Sequence, residues 1–520
     1  MGRRRSSSAA KGQSTQLRRR TAQVVRRARL WTAVLVTVAG AVVIAVNAYL
    51  VLANFLPSGN DPIQPKDLTQ FALAIVAGIG GVVALVVAYR RQQGIEQGRF
   101  VERFGAAASQ LGNSDVAVRL AGVYAMAGVA DEASSSERQQ CVDVLCGYLR
   151  LPYSPVLGSN HQSELQRQVP GREGEGVTHR FLYRQNDKEV RQTIVRVIAA
   201  HLQEDAAESW SECSFEFQGA ALENADFSGA IFSGGRTSFI DATFSGERTY
   251  FNGVTFRGWR TLFHRATFGG EHTSFGGARF MAKKTYFSGA TFSAVRTSFD
   301  RATFSGGPIY FSGANFSGYR TAFRWATFSG GPIYFSGAVF NAERTWFDGA
   351  SFDAEGAWFD RATFGGFRAQ FSGATFKADR TWFVGTAFSG DSISFDGATF
   401  SGGHTSFDRA TFRGERTSFD GTTFSGDRTS FERAELSGKH LSFAKAKFSA
   451  ERTSFDYSSF GGERTSFRSC EFVKGTVSFR GPKRWSPAPQ FDWDEGVPPG
   501  HRKHKPENVL PPTWPPKVRV

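Results

Sequence analysis

Hydrophobic and polar positions follow three successive patterns along the chain. Residues 30–56 (LWTAVLVTVAGAVVIAVNAYLVLANFL) and 68–89 (LTQFALAIVAGIGGVVALVVAY) are apolar runs without a formal charge. Each is as long as the roughly 20 residues needed to cross a bilayer. With the Pro-containing segment 57–67 between them, they predict a transmembrane helical hairpin: helix 1 over 30–56, a short external loop, and helix 2 over 68–89. From 90 to 210 apolar residues recur near helical spacing, among them Phe100, Phe104, Leu111, Val116, Leu120, Val123 and Met126. This predicts a small α-helical connector. Gly112-Asn113-Ser114 reads as a break with a cap, further helices are expected over 138–151 and 187–202, and 152–178 reads as a loop.

The third pattern fills 211–480. It opens in steps of five at Phe217, Leu222, Phe227 and Phe232, then settles into a twelve-residue unit typified by DGATFSGERTSF. One Phe series runs from Phe239 to Phe479 in steps of twelve without exception; the other runs from Phe232 to Phe472 and is interrupted only by Leu436. Ala usually lies two residues before the second series and Thr two before the first. A small and a large residue at i−2 and i is what a short strand needs when alternate side chains point inward. The Gly-rich steps after each Phe supply corners. A unit this short cannot bury its own Phe, so the units must stack into a solenoid. The predicted core ladder includes Phe227, Phe232, Phe239, Phe244, Phe251, Phe256, Phe299, Phe304, Phe407, Phe412, Phe419 and Phe424.

The segment Glu223-Asn224-Ala225-Asp226-Phe227 and the recurring SGATF, DRATF and DGATF motifs resemble the pentapeptide repeat family, whose units follow A-(D/N)-(L/F)-x-x. The resemblance implies a mainly β fold, a right-handed quadrilateral β-helix with Phe and Ala inside. This chain departs from the family pattern by two extra residues in every second pentad. We therefore expect a coil of 24 residues with walls of 5, 7, 5 and 7; GGPIYFSGA at 306–314 and again at 330–338 carries that displacement.

Composition and charge narrow the function. Phe, at 51 residues, is the main large apolar side chain, and the repeat accounts for the excess. The formal charge of +15 is concentrated in the arm 1–29, which has ten basic residues, no acid and an expected disordered character. The repeat region holds 30 basic and 26 acidic residues, too balanced for a nucleic-acid stripe. Positive flanks on both sides of the hairpin predict a multi-pass cell-membrane protein with both termini and the repeats cytoplasmic. Cys141, Cys146, Cys213 and Cys470 have no metal-type spacing and read as reduced structural thiols.

Neither a phosphate-binding loop, a nucleophile elbow, nor a ligand cluster is recognisable, and His179, His201, Glu204 and Asp205 read as solvated helix residues. No catalytic, metal or cofactor site and no nucleic-acid partner is expected. The expected partners are the bilayer and an unidentified protein, as suits a non-enzymatic membrane-anchored scaffold. A partner-binding surface is sought in the basic residues three before the first Phe series, including Arg236, Arg260, Arg296, Arg320, Arg344, Arg416 and Arg464, although neighbouring acids such as Glu247, Glu343 and Glu415 are expected to neutralise them. Outward Thr residues such as Thr303 and Thr399 suggest ice binding, which one Thr per strand and a cytoplasmic location disfavour. Two alternatives remain. Soluble members of the resembled family mimic DNA and bind type II topoisomerases, which this balanced rod disfavours, and an enzymatic or regulatory role would have to reside in the connector. The tail 481–520, rich in Pro and Trp, is expected to be extended and partly disordered, with Trp485, Trp493 and Trp514 capping the solenoid or docking on a partner.

Overall fold

The computed structural model describes residues 39–40, 42–43, 46–47, 50, 65–155, 164–169, 177–182, 186–494, 497 and 502–519. The arm 1–29 and most of the first expected span lie outside the described residues. The chain divides into two compact units, 1–102 and 103–520. Helix α1 spans Pro65–Leu111. Among the described residues no helix is long and apolar enough to cross a membrane. The hairpin expected from the sequence is therefore not supported here, since most of its first half and several side chains of its second lie outside the described residues.

In the connector, α2 (Val116–Glu132) starts at Asp115, whose carboxylate accepts the Ala117 N–H at 2.7 Å, so the cap lies just beyond the expected Gly-Asn-Ser break. Helix α3 (Ser135–Leu149) begins in a capping box between Ser134 and Glu137, and α4 covers Asp187–His201. The connector is not wholly helical, because β1 (Glu164–Val169) pairs antiparallel with β2 (Val177–Leu182) where a loop was expected. Buried Arg191 ties the helices together: it pairs with Asp187 at 2.8 Å and donates to the carbonyls of Leu149 and Leu151. Tyr148 completes this cluster with a 2.5 Å hydrogen bond to Asp187.

Beyond Ser214 the chain winds through four parallel sheets visited in rotation, giving a four-sided β-solenoid of about eleven coils. The first long wall contains strands such as Arg236–Ser238 and Arg260–Leu262, and the first short wall Thr243–Ser245 and Thr267–Phe268. The second long wall contains Arg248–Tyr250 and Arg296–Ser298, and the second short wall Thr255–Phe256 and Thr303–Phe304. Register bears out the 24-residue coil: Arg260 pairs with Lys284, Thr267 with Thr291, Arg296 with Arg320 and Thr303 with Thr327. The duplicated segment obeys it too, with Tyr310 opposite Tyr334. Where the sequence still steps by five, the pairing offset is shorter, as in Leu222 with Phe244.

All twelve Phe of the predicted ladder are buried. Four Phe enter each regular coil and form columns along the rod. Phe263 and Phe287 stack at 4.7 Å and 0°, and Phe275 and Phe299 at 4.7 Å and 1°. Between columns the rings meet edge to face, as Phe263 and Phe275 do at 5.8 Å and 89°, the offset geometry that ring quadrupoles prefer. Leu436 stands in one column without breaking the pairing, with Phe412 before it and Phe460 after it.

The corners have two distinct causes. Two residues after each first-series Phe the backbone enters the left-handed region, as at Gly277 (φ 64°), and the next N–H returns to the Phe carbonyl, Ala278 to Phe275 at 3.0 Å. At the other corner the requirement is space, because a Cβ on Gly318 would lie 1.8 Å from the Ala294 carbonyl oxygen.

Both ends of the solenoid are closed. At the first coil, α3 packs on Phe215–Glu216 and α4 on Ala221–Glu223, with Lys188 paired to Glu223 at 2.6 Å. Trp210, fully buried there, donates to Asp131 and stacks on His201 at 4.0 Å. At the last coil the tail is an ordered cap among the described residues rather than an extended segment. Trp485 pairs with Phe460, Phe491 stacks on Phe467 at 4.9 Å, and Trp514 stands edge-on to Phe479 and Phe491. Closed ends withhold the strand edges and open Phe columns from edge-to-edge assembly.

Candidate interaction surface

The rod leaves its four walls as the places where function can reside. The basic residues that form one series in sequence form two ladders in space, because a twelve-residue step is half a coil. Arg236 and Arg260 lie on the first long wall; Arg296, Arg320, Arg344, Arg416 and Arg464 lie on the second, opposite in the winding order. On the first long wall the cations are commonly paired: Arg236 with Glu216 at 3.1 Å, Arg380 with Asp379 at 3.8 Å and Arg428 with Glu432 at 3.2 Å.

The second long wall differs. Over four consecutive coils it carries Arg296, Arg320, Arg344 and Arg368 in register. The neutralising neighbours expected from the sequence are mostly missing here, because the preceding position is Val295, Tyr319 and Phe367 in three of the four coils. Glu343 remains, 3.9 Å from Arg344. Arg296, Arg320 and Arg368 have no carboxylate at ion-pair distance among the described residues.

Aromatic rings lie between these cations. Arg320 sits 4.1 Å and Arg324 4.9 Å from the Trp346 centroid, Arg344 5.4 Å from Tyr319, and Arg368 5.8 Å from Phe367. Such pairs orient the guanidinium while leaving its N–H edge free. At the adjoining corner Trp325 is 56% exposed at φ 53°, a backbone region in which a bulky residue is strained. Its indole lies over Gly349, where a Cβ would come within 2.7 Å of the ring. Arg248, His272, Arg296 and Arg320 line a groove of about 420 Å³ with Ser274, Ser298 and Asp300.

The first long wall carries a feature that sequence reasoning missed. Tyr286, Tyr310, Tyr334 and Trp358 stack on its outer surface at 4.8–5.0 Å, and Trp382 continues the row. Its signal was an aromatic residue directly before the first-series Phe, repeated at the coil length. The first four rings cover one another's faces and Trp382 meets Trp358 edge-on at 6.2 Å and 83°, so this row reinforces the sheet.

Other candidate groups are structural. His201 bonds Asp131 and stacks on Trp210. Burial pushes the Cys141 thiol up to about 11 and the Cys146 thiol up to about 12, which keeps both unreactive. The concavity beside the tail has its cations engaged: Lys503 pairs with Asp492, Arg502 donates to the Trp493 carbonyl and Lys505 to the Val509 carbonyl. No group of three or more His, Cys, Asp or Glu able to hold a metal occurs among the described residues. No family model matches the chain, and neither a curated protein nor a solved structure does.

Proposed function

We propose that this protein is a non-enzymatic scaffold that holds a pentapeptide-repeat-type, right-handed β-solenoid at the cytoplasmic face of the cell membrane and binds a protein through the side of the rod. The observation that carries this reading is the Arg and aromatic row on the second long wall of a rod whose two ends are capped. Capping leaves the sides as the surface for recognition, and Arg, Trp and Tyr dominate the energetics of protein interfaces. The four walls, the inward Phe and Ala and the motifs at 223–227 favour placement in the pentapeptide repeat family. Membrane anchoring is supported by the uncharged run 68–89 within α1 and by Val82, Leu85, Val86, Val87 and Tyr89, all exposed on that helix. Exposed apolar side chains of this kind suit a lipid environment better than water.

Two measurements test this reading. After alkaline extraction the full chain should stay in the membrane fraction, and a cytoplasmic reporter after Val520 should be active; release into the supernatant or an active external reporter overturns the anchoring. Photo-crosslinkers placed at Arg296 and Trp346 in membranes should trap a specific protein, whereas crosslinkers at Thr303 on a short wall should not.

A further inference from the structure

We propose that the second long wall between Val295 and Arg368 is a docking site for an acidic, carboxylate-rich protein segment. This rests on the scaffold reading and adds the chemistry of the partner. Six guanidiniums gather over four coils: Arg296, Arg301, Arg320, Arg324, Arg344 and Arg368. Among the described residues only two have a carboxylate at ion-pair distance, Arg324 with Asp300 at 3.1 Å and Arg344 with Glu343 at 3.9 Å. The patch therefore has an uncompensated positive charge, although the rod as a whole is almost balanced. An acidic partner supplies the missing counter-charge.

Geometry selects among anionic partners. The ring of Trp346 lies beside Arg320 and Arg324, and that of Tyr319 beside Arg344, so a nucleic-acid base stacking here would compete with the guanidiniums for these rings. The guanidiniums of Arg296, Arg320 and Arg368 carry no ion pair among the described residues, and a planar fork matches a carboxylate through two parallel hydrogen bonds. Stacking on rings holds the forks of Arg320, Arg344 and Arg368 in place before binding, which lowers the ordering cost of recognition. Four coils at about 4.8 Å give a row roughly 15–20 Å long, the scale of a short extended peptide rather than of a membrane plane. Exposed Val295, Trp325 and Phe367 offer apolar contact at its margins.

The test uses the full chain in detergent micelles with a fluorescein-labelled poly-glutamate peptide as probe and poly-glutamine as its neutral control. The variants are the triple R296Q/R320Q/R368Q and a charge-matched triple on the opposite wall, R380Q/R428Q/R452Q. Poly-glutamate should bind, weaken as salt rises, and lose roughly tenfold or more in affinity with the first triple; the second should stay within about twofold. Circular dichroism and thermal unfolding establish that both variants remain folded. Equal loss in both triples, no binding of poly-glutamate, or stronger binding to oligodeoxythymidine or to phosphatidylserine vesicles overturns the proposal. If a crosslinked partner is retained by the first triple in membranes, this assignment falls and the scaffold reading stands.

Discussion

Arg320 reaches along the rod to place its guanidinium 4.1 Å from the centroid of Trp346, a residue of the following coil. The contact couples a cation of one strand to a ring of the next, on an outer wall where neither is needed to fill the core. Replacing the indole should free Arg320 and loosen Arg324, which leans on the same ring but keeps its ion pair with Asp300. For Trp346→Ala we expect little change in unfolding temperature and a loss of poly-glutamate binding of about 0.5–2 kcal/mol. Fluorescence anisotropy with parallel thermal unfolding checks it, and a collapse of stability without an affinity change contradicts it.

The core responds differently. Phe323 is stacked between Phe299 at 4.7 Å and Phe347 at 4.8 Å, with Phe311 and Phe335 edge-on. Phe323→Ala should cost about 3–5 kcal/mol in urea unfolding, because the stacked neighbours cannot collapse into the void. Phe340→Leu should cost less, about 1–2 kcal/mol, since the same column already accommodates Leu436.

The inward hydroxyl of Thr321 is buried and has no hydrogen-bond partner among the described residues. Ile309, Ile333 and Ile393 occupy equivalent inward positions on the long walls. Thr321→Val keeps the shape and removes an unsatisfied polar atom, so a gain of about 1 kcal/mol is expected. A loss of stability would instead reveal a hydrogen bond to this hydroxyl.

Burial raises the Asp360 carboxyl to about 6, and its Oδ1 has no hydrogen-bond partner among the described residues. The folded pKa lies above the ordinary Asp value of 3.8, so between these two values the folded state binds more protons than the unfolded one. Stability from this group is full below about pH 4, falls as pH rises, and is lost above about pH 6. Asp360→Asn should raise the unfolding temperature relative to the parent at pH 7.5 and bring no such gain at pH 4. A pH-independent difference contradicts the assignment.

The ordered tail supplies a further outcome. Truncation at Phe479 removes Trp485, Phe491 and Trp514 from the last coil. The truncated chain should self-associate while the full chain stays monodisperse, as light scattering can read. Trp514→Ser should produce a weaker form of the same behaviour.

The architecture of the rod was legible because each of its causes is local and repeated. The inward Phe series, the Ala or Thr two residues earlier and the corner glycines fix an i−2/i alternation and a coil length, and the pairing of Tyr310 with Tyr334 is the displacement already visible in GGPIYFSGA. The hairpin β1–β2 was not legible, since 152–178 is too polar to show a strand period. In 481–520 the expected capping by Trp485, Trp493 and Trp514 is met, but the extended character read from Pro-rich composition is not, because the docking of Trp514 on Phe479 depends on a last coil that exists only after folding.

The surface shows the same division more sharply. By itself the sequence determined the rod, its Phe core and a basic residue at many of the half-coil steps. Only the tertiary structure decided that Arg236 and Arg296 belong to opposite walls, that among the described residues Glu343 is the one acid at ion-pair distance from Arg296, Arg320, Arg344 or Arg368, and that Trp346 holds Arg320. The physical reason is that packing into the interior obeys a period of two along the strand, whereas neighbours on the outer face are set by the 24-residue return of the coil.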